Sequence, residues 1–326
     1  MAKQFRLIRK IGTMSITAGG FATLDLPRAY DYESIFLRIN ASLQVTVLAT
    51  SVRTEAPAQL VSRVEVIADG KNTLYSAPFW FSSLGNYQRL LTQSGARATT
   101  PPSGVAVATY STEAIGVIDF MNVDGVRPKD SNFRSRYLSL FQLRLTFGQA
   151  ADAFVGGTVA FSGTPTVDVF SSELVEETDN KGDFMTSPVA LKKVSYVEQA
   201  VASSNTALIQ RLPAGNLIKS VFIRTEGAVT AGEPSAAVLN NVTLSAGQDV
   251  RLNLAGVNLR AKNNADYGQM TAGYYSADLL SKGDHDANMT ELWDVTRQAE
   301  PVALLDVVGG ANNKYQAVIT EMIFPG

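Results

Sequence analysis

The chain has no cysteine and a single histidine, His285. The first absence removes disulfides, thiolate metal ligands and thiol nucleophiles together. The second leaves any Ser-His-Asp arrangement dependent on one imidazole. That imidazole sits in Lys282-Gly283-Asp284-His285-Asp286, where neighbouring side chains point in different directions, so the segment reads as a solvated loop. No Gly-x-Ser-x-Gly elbow and no phosphate-cradling loop occurs. These absences argue against an enzyme, and the sequence offers no catalytic, cofactor-binding or metal-ligating set. Charge is sparse as well: 18% of residues are charged, and 28 Lys+Arg against 30 Asp+Glu leave a net −2. Nucleic-acid binding driven by counterion release needs a basic face, so no sequence-specific nucleic-acid binding is expected. No apolar run approaches the ~20 residues of a membrane-spanning helix. The basic N-terminus lacks the continuous apolar stretch of a signal peptide, and none is read there.

What is present is β-structure, written twice. Alternating or continuous apolar runs recur between Gly, Pro, Asn, Asp and Ser clusters. In the first half they cover residues 21–26, 34–48, 60–68, 73–75, 116–120, 137–147 and 166–174. In the second they cover 207–212, 219–225, 238–245, 250–254, 291–295, 302–308 and 315–324. Asp69-Gly70 between two such runs predicts a hairpin, because the turn needs positive φ. Helical patterns are few: residues 79–91, with Trp80, Leu84, Tyr87 and Leu91 on one face, and a weaker counterpart at 254–262. The segment Leu26-Pro27…Ser34-Ile35-Phe36-Leu37-Arg38 returns without a gap as Leu212-Pro213…Ser220-Val221-Phe222-Ile223-Arg224. A second echo follows in the same order: Leu60, Val61, Val64, Val66, Ala68 and Leu74 match Val238, Leu239, Val242, Leu244, Ala246 and Leu252. A unit of this size is a whole domain copied in tandem, larger than a solenoid repeat of ~20–50 residues.

The expected organisation is a basic N-terminal arm at 1–19, a first β-domain at 20–178, a linker at 179–190 and a second β-domain at 191–326. Glu173, Glu176, Glu177, Asp179 and Asp183 make the seam acidic; without EF-hand spacing it reads as a solvated linker in preference to a Ca2+ site. Long Gly/Ala/Ser/Thr-rich segments at 92–109, 148–166, 227–237 and 261–288 are the loops of the two copies. The sequons at Asn40, Asn241 and Asn288 read as chance. Phe79, Trp80, Phe81, Phe120, Phe133, Phe141 and Trp293 could make a carbohydrate platform, although core filling or subunit contact is the usual use of such residues. In the arm, Lys3, Arg6, Arg9 and Lys10 alternate with Phe5, Leu7, Ile8 and Ile11. That pattern suits an inner-surface or membrane-facing contact, or an edge strand that clamps a neighbour.

The run from Val61 to Lys71, leading into Trp80 and a short helix, and the apolar strand Ser135–Phe147 that follows, resemble double jelly-roll major capsid proteins. The resemblance is to those of tailless icosahedral bacteriophages with an internal membrane, and the duplicated layout extends it over nearly the whole chain. It implies an all-β fold of two tandem eight-stranded jelly-roll barrels with few short helices. It further implies homotrimers that form pseudo-hexagonal capsomers, tile an icosahedral capsid shell in the virion and are made in the host cytoplasm. Implied partners are neighbouring capsomers, vertex (penton) and minor capsid proteins, and an internal lipid membrane faced by the arm. The alternative from another class is a tandem β-sandwich that binds or processes carbohydrate.

Overall fold

The computed structural model describes residues 4–85, 100–120, 132–176, 190–227, 230–268, 270–279, 292–297 and 300–323. The first copy contains β1 (Gln4–Ser15), β2 (Phe21–Asp25), β3 (Asp31–Val47), β4 (Ser51–Val52), β5 (Val61–Ala68), β6 (Asn72–Ala77), β7 (Thr109–Asp119), β8 (Phe133–Arg134), β9 (Phe141–Phe147), β10 (Phe154–Val155), β11 (Thr158–Phe161) and β12 (Thr166–Glu176). The second contains β13 (Leu191–Ala200), β14 (Asn205–Arg211), β15 (Leu217–Glu226), β16 (Leu239–Ala246), β17 (Asp249–Ala255), the helix α1 (Gly256–Tyr267), β18 (Tyr274–Asp278), β19 (Trp293–Asp294), β20 (Val302–Val307) and β21 (Lys314–Ile323).

Each copy folds as two facing antiparallel sheets. In the first roll β1-β12-β3-β7 opposes β2-β9-β5-β6; in the second β13-β21-β15-β18 opposes β14-β20-β16-β17. The strand orders coincide position for position, so both copies are eight-stranded jelly rolls. Even the short β8 and β19 repeat: Tyr32 pairs with Phe133 and Ile218 with Trp293 at the start of the duplicated strand. Alternation sets which face goes inward. Strand β9, Phe141-Gln-Leu-Arg-Leu-Thr-Phe147, buries every second residue. Ile35, Leu37, Ile39, Val64, Val66, Leu143, Leu145, Val167 and Val169 meet in the first core. Val221, Ile223, Val242, Leu244, Leu305, Val307, Ala317 and Ile319 meet in the second.

The hairpin turns use the conformation their residues predict. Asp69 and Gly70 have φ of 50° and 69°, and Gly247 in the other copy has 59°. The second turn is one residue shorter. Val66 therefore faces Tyr75 while its echo Leu244 faces Leu252. The sequence echo pairs Leu74 with Leu252; the structure moves that equivalence to Tyr75. The helix foreseen weakly at 254–262 is α1, twelve residues long. Its opposite number starts at Phe79–Trp80 and runs into a π-type turn at Phe81–Gly85, and residues 86–91 lie outside the described residues.

The expected arm is part of the first roll. Residues 4–15 form β1, antiparallel to β12 from Gln4↔Glu176 to Ser15↔Thr166. Main-chain pairing holds the segment, and its alternating apolar residues meet the requirement for a strand with one face on a core. Glu173, expected in the acidic seam, belongs to β12 and is fully buried. Glu176 is the last residue of the same strand, and residues 177–189, holding Glu177, Asp179 and Asp183, lie outside the described residues, as does His285.

Candidate functional site

The most elaborate polar construction among the described residues lies where the rolls meet. Strand β13 of the second roll runs parallel to β6 of the first, with Val194 opposite Tyr75. One sheet therefore crosses the boundary, and because the two strands run in the same direction both rolls have the same polarity. Trp80, just beyond β6, packs on Phe222 and Tyr274 with ring centroids 6.0 and 5.5 Å apart. Phe81 meets Phe222 edge-on at 5.5 Å. Phe222, Tyr274, Val318 and Val194 of the second roll pack into the core cluster of the first. Each large apolar side chain buried this way contributes roughly 1.5–3 kcal/mol.

Arg224 is set into this apolar seam. Its Nε and Nη2 each lie 2.7 Å from a carboxylate oxygen of Glu55 in the other roll. Nη1 donates to Glu226 and, at 3.0 Å, to Gln316, and Nη2 also reaches the Gly232 carbonyl at 2.8 Å. The Tyr274 hydroxyl completes the set by donating to Glu55. The guanidinium carbon stands 5.4 Å over the Trp80 ring. Burial alone opposes the Arg224 charge, but the Glu55 carboxylate, by charge and by hydrogen bonding, outweighs it and leaves the pKa raised. Burial, and then the Glu55 charge, push the Tyr274 hydroxyl far above its ordinary range. A buried ion pair with every partner placed contributes more to unique geometry than to net stability. Here it ties Glu55 of the first roll to Arg224 of the second. Arg53 and Thr54, bonded to the Ala231 carbonyl and to Glu233, extend the contact between the loops that follow β3 and β15.

A crevice of 240 Å³ beside this junction is lined by Arg53, Tyr196, Glu198, Arg224, Glu226 and Lys314 among others. Its charges are already paired: Lys314 holds both Glu198 and Glu226. A groove of 390 Å³ on the first roll is lined by hydroxyls and amides, including Asn40, Ser42, Thr112 and Thr166. Among the described residues no three His, Asp or Glu side chains come together as a metal site.

Of the residues singled out in the N-terminal segment, Lys3 lies outside the described residues. Arg6 bonds Glu33, Arg9 bonds Glu173 at 2.9 Å, and Lys10 bonds Asp168 at 2.7 Å. Glu33 also accepts from Ser172, and Glu173 from Ser171. The cations thus neutralise carboxylates of their own roll, while Phe5 and Ile8 stay exposed. The aromatics Phe79, Trp80, Phe81, Phe120, Phe133, Phe141 and Trp293 are all buried, in the cores and the junction, which agrees with core filling and leaves no carbohydrate platform among them, because large rings contribute most where they leave water completely. Sequence reasoning noted Arg224 only as a repeat of Arg38 and missed Glu55 altogether.

The fold class is therefore an all-β double jelly roll of two eight-stranded rolls in tandem, joined through β6 and β13. Solved structures share it over nearly their whole length. The STIV major capsid protein superposes with a TM-score of 0.74 at 13% identity, covering 98% of this chain and 97% of that one. The major capsid protein P2 from Bacteriophage PM2 gives 0.63 at 12% identity, with 99% and 98% covered. The PBCV-1 virus capsid gives 0.64 at 13%, with 99% and 94% covered. No family model and no curated protein matches the sequence.

Proposed function

We propose that this chain is the major capsid protein of an icosahedral virion, assembling as pseudo-hexameric trimers that tile the shell. The observation that carries the reading is full-length agreement in fold with three capsid proteins, on a chain whose two copies share framework and no reactive site. Duplicated rolls of one polarity give a trimer six near-equivalent uprights. The work is interface burial, with no chemistry. Neighbouring capsomers, vertex (penton) proteins and minor capsid proteins are the further partners of this reading, over an internal lipid membrane.

Polarity supports an orientation. In each roll the chain enters and leaves at one end, Gln4↔Glu176 and Leu191↔Ile323. At the other end of the first roll the segment after β3 bonds the described segments before β7 and after β9, Ala49 N–H to the Val105 carbonyl and Thr50 N–H to the Val155 carbonyl. The entry end, with Phe5, Arg6, Ile8, Arg9 and Lys10 on its flank, is the inner-surface side in this proposal. Light scattering on the purified chain tests assembly: a trimer of about 105 kDa, three copies of the 34.9 kDa chain, is expected. A monomer that is retained on polysaccharide columns would overturn the reading in favour of a carbohydrate binder.

A further inference from the structure

The register of the two rolls aligns a pair of buried carboxylates that matching of letters does not find. Ser172 faces Ile8 and Ser34; Thr320 faces Val194 and Ser220. Ser34 and Ser220 are one position of the repeat, so the residues that follow in the last strands, Glu173 and Glu321, are one position too. Both are fully buried, at the end where the chain enters and leaves its roll. Their partners differ. Glu173 is satisfied on both oxygens: Arg9 Nε and Nη2 lie 3.1 and 2.9 Å from them, and Ser171 donates to one. Glu321 has no guanidinium. The Asn216 side-chain amide donates to its Oε2 at 2.6 Å, and the Lys193 ammonium stands 3.9 Å from Oε1, beyond hydrogen-bond length. Oε1 has no hydrogen-bond partner among the described residues. A buried carboxylate oxygen without a donor is costly, and a pair kept only for structure would close that gap.

The fold brings an amine and a carboxamide to the two sides of this one carboxylate. Lys193 sits directly opposite Glu321 in the β13–β21 pairing. Asn216 immediately precedes β15. Gly215, with φ of 88°, turns the chain there, and the Asn216 carbonyl accepts from the Val295 N–H at 3.4 Å. Ile218, opposite Glu321 on its other side, is fully buried, as is its own partner Trp293. In the first roll the positions of Lys193 and Asn216 hold Leu7 and Tyr30. The shared glutamate is therefore a charge partner in one roll, and in the other it stands between a nucleophile and an electrophile.

We propose that Lys193 and Asn216 join in an intramolecular isopeptide bond, with Glu321 as the acid–base catalyst. This is a single self-modification within one chain and does not depend on the assembly reading. A proton passes from Lys193 Nζ to the Glu321 carboxylate, leaving a neutral amine and a neutral acid, the form that an apolar surrounding favours over two charges. The amine lone pair attacks Cγ of Asn216. Nδ2, the departing nitrogen, already lies on Oε2. It takes the proton of the carboxyl while the attacking nitrogen returns one, so Glu321 ends as the neutral acid it was before the attack. The Cγ–Nδ2 bond breaks and ammonia leaves. One carbon–nitrogen bond forms and one breaks, with no oxidant or reductant. What the fold supplies is proximity.

Mass spectrometry on the purified full chain tests this directly. The intact mass should fall short of the sequence mass by one ammonia, and peptide mapping should recover a branched peptide that joins Lys193 to Asn216. Lys193→Arg keeps a cation beside Glu321 and removes the nucleophilic amine, so it should fold and show the full sequence mass. Glu321→Gln should also show the full mass, with Lys193 and Asn216 in separate peptides. A parent chain at full sequence mass would overturn the proposal. So would loss of ammonia without the branched peptide, which marks an asparagine cyclised on its own backbone. A cross-link that persists in Glu321→Gln would overturn the role given to Glu321.

Discussion

Arg38 and Arg224 stand at one position of one duplicated strand, and their surroundings are opposite. Arg38 is 45% exposed and meets a single carboxylate, Glu113 at 2.7 Å, on the same sheet. Arg224 has no contact with solvent and holds Glu55, Glu226, Gln316 and the Gly232 carbonyl at the seam between the rolls. The strand did not change its register, and the side chain leaves the same face of the sheet in both copies. What changed is the neighbour: in the second roll that face is covered, and in the first it is open. A charge at the rim of an open face costs almost nothing, and the same charge on a covered face must be fully partnered. Duplication thus kept a framework in which one arginine is a surface residue and the other a keystone.

The most severe way to break the comparison is to remove the strand that makes the first roll open at its edge. Deleting residues 1–10 takes away most of β1 and the partners of Glu33 and Glu173, which are buried. Stranding even one buried carboxylate costs about 3–5 kcal/mol, so cooperative unfolding of the first roll should be lost or its midpoint sharply lowered, as read by calorimetry. A deletion variant as stable as the parent would show that β1 is peripheral after all. Next in size is Arg224→Ala, which leaves Glu55 without a charge partner in the seam and Glu226 with Lys314 alone, and is expected to cost about 3–5 kcal/mol in denaturant unfolding. Arg38→Ala should leave the midpoint unmoved within error. Equal effects of the two would dissolve the contrast.

The sequence made the framework legible because framework is periodic. The Ser-x-Phe-x-Arg echo, the Asp69-Gly70 turn and the alternating runs each follow from a local rule, and the structure keeps both rolls where they fall. The junction was illegible for a physical reason. Arg224 and Glu55 are 169 residues apart, and nothing local marks either as buried. Strand β1 was half-read: its alternation of Phe5, Leu7 and Ile11 with cations fits an interfacial segment as well as a strand flanking a carboxylate row. Glu33, Glu173 and Asp168, which take up the cations across the sheet, come from distant strands and leave no mark in the segment itself. The slip of Leu74 against Tyr75 shows the limit of matching letters, because a turn shorter by one residue moves every later equivalence.

The smallest effect sharpens the comparison from the open side. Hydrogen bonding from Arg38 holds the Glu113 carboxyl below its ordinary 4.5, and Lys10, then Thr13, hold Asp168 below its ordinary 3.8. A depressed value in the folded state means that folding favours the ionised form. The contribution is therefore complete above the ordinary carboxylate range and drains away as the pH falls through the lower folded values. Stability of the parent should decline over that acid window. Arg38→Ala, which frees Glu113, should flatten the decline there: the small contribution is lost at neutral pH, and variant and parent converge below the acid window. Both pairs are exposed enough for salt to screen them, so raising ionic strength should flatten the profile in the same sense. The Arg224 cluster, shut away from ions, should keep its effect on the unfolding midpoint at high salt. If salt instead erased the penalty of Arg224→Ala, the seam would have to be open to water, and the difference between the two arginines would be one of degree.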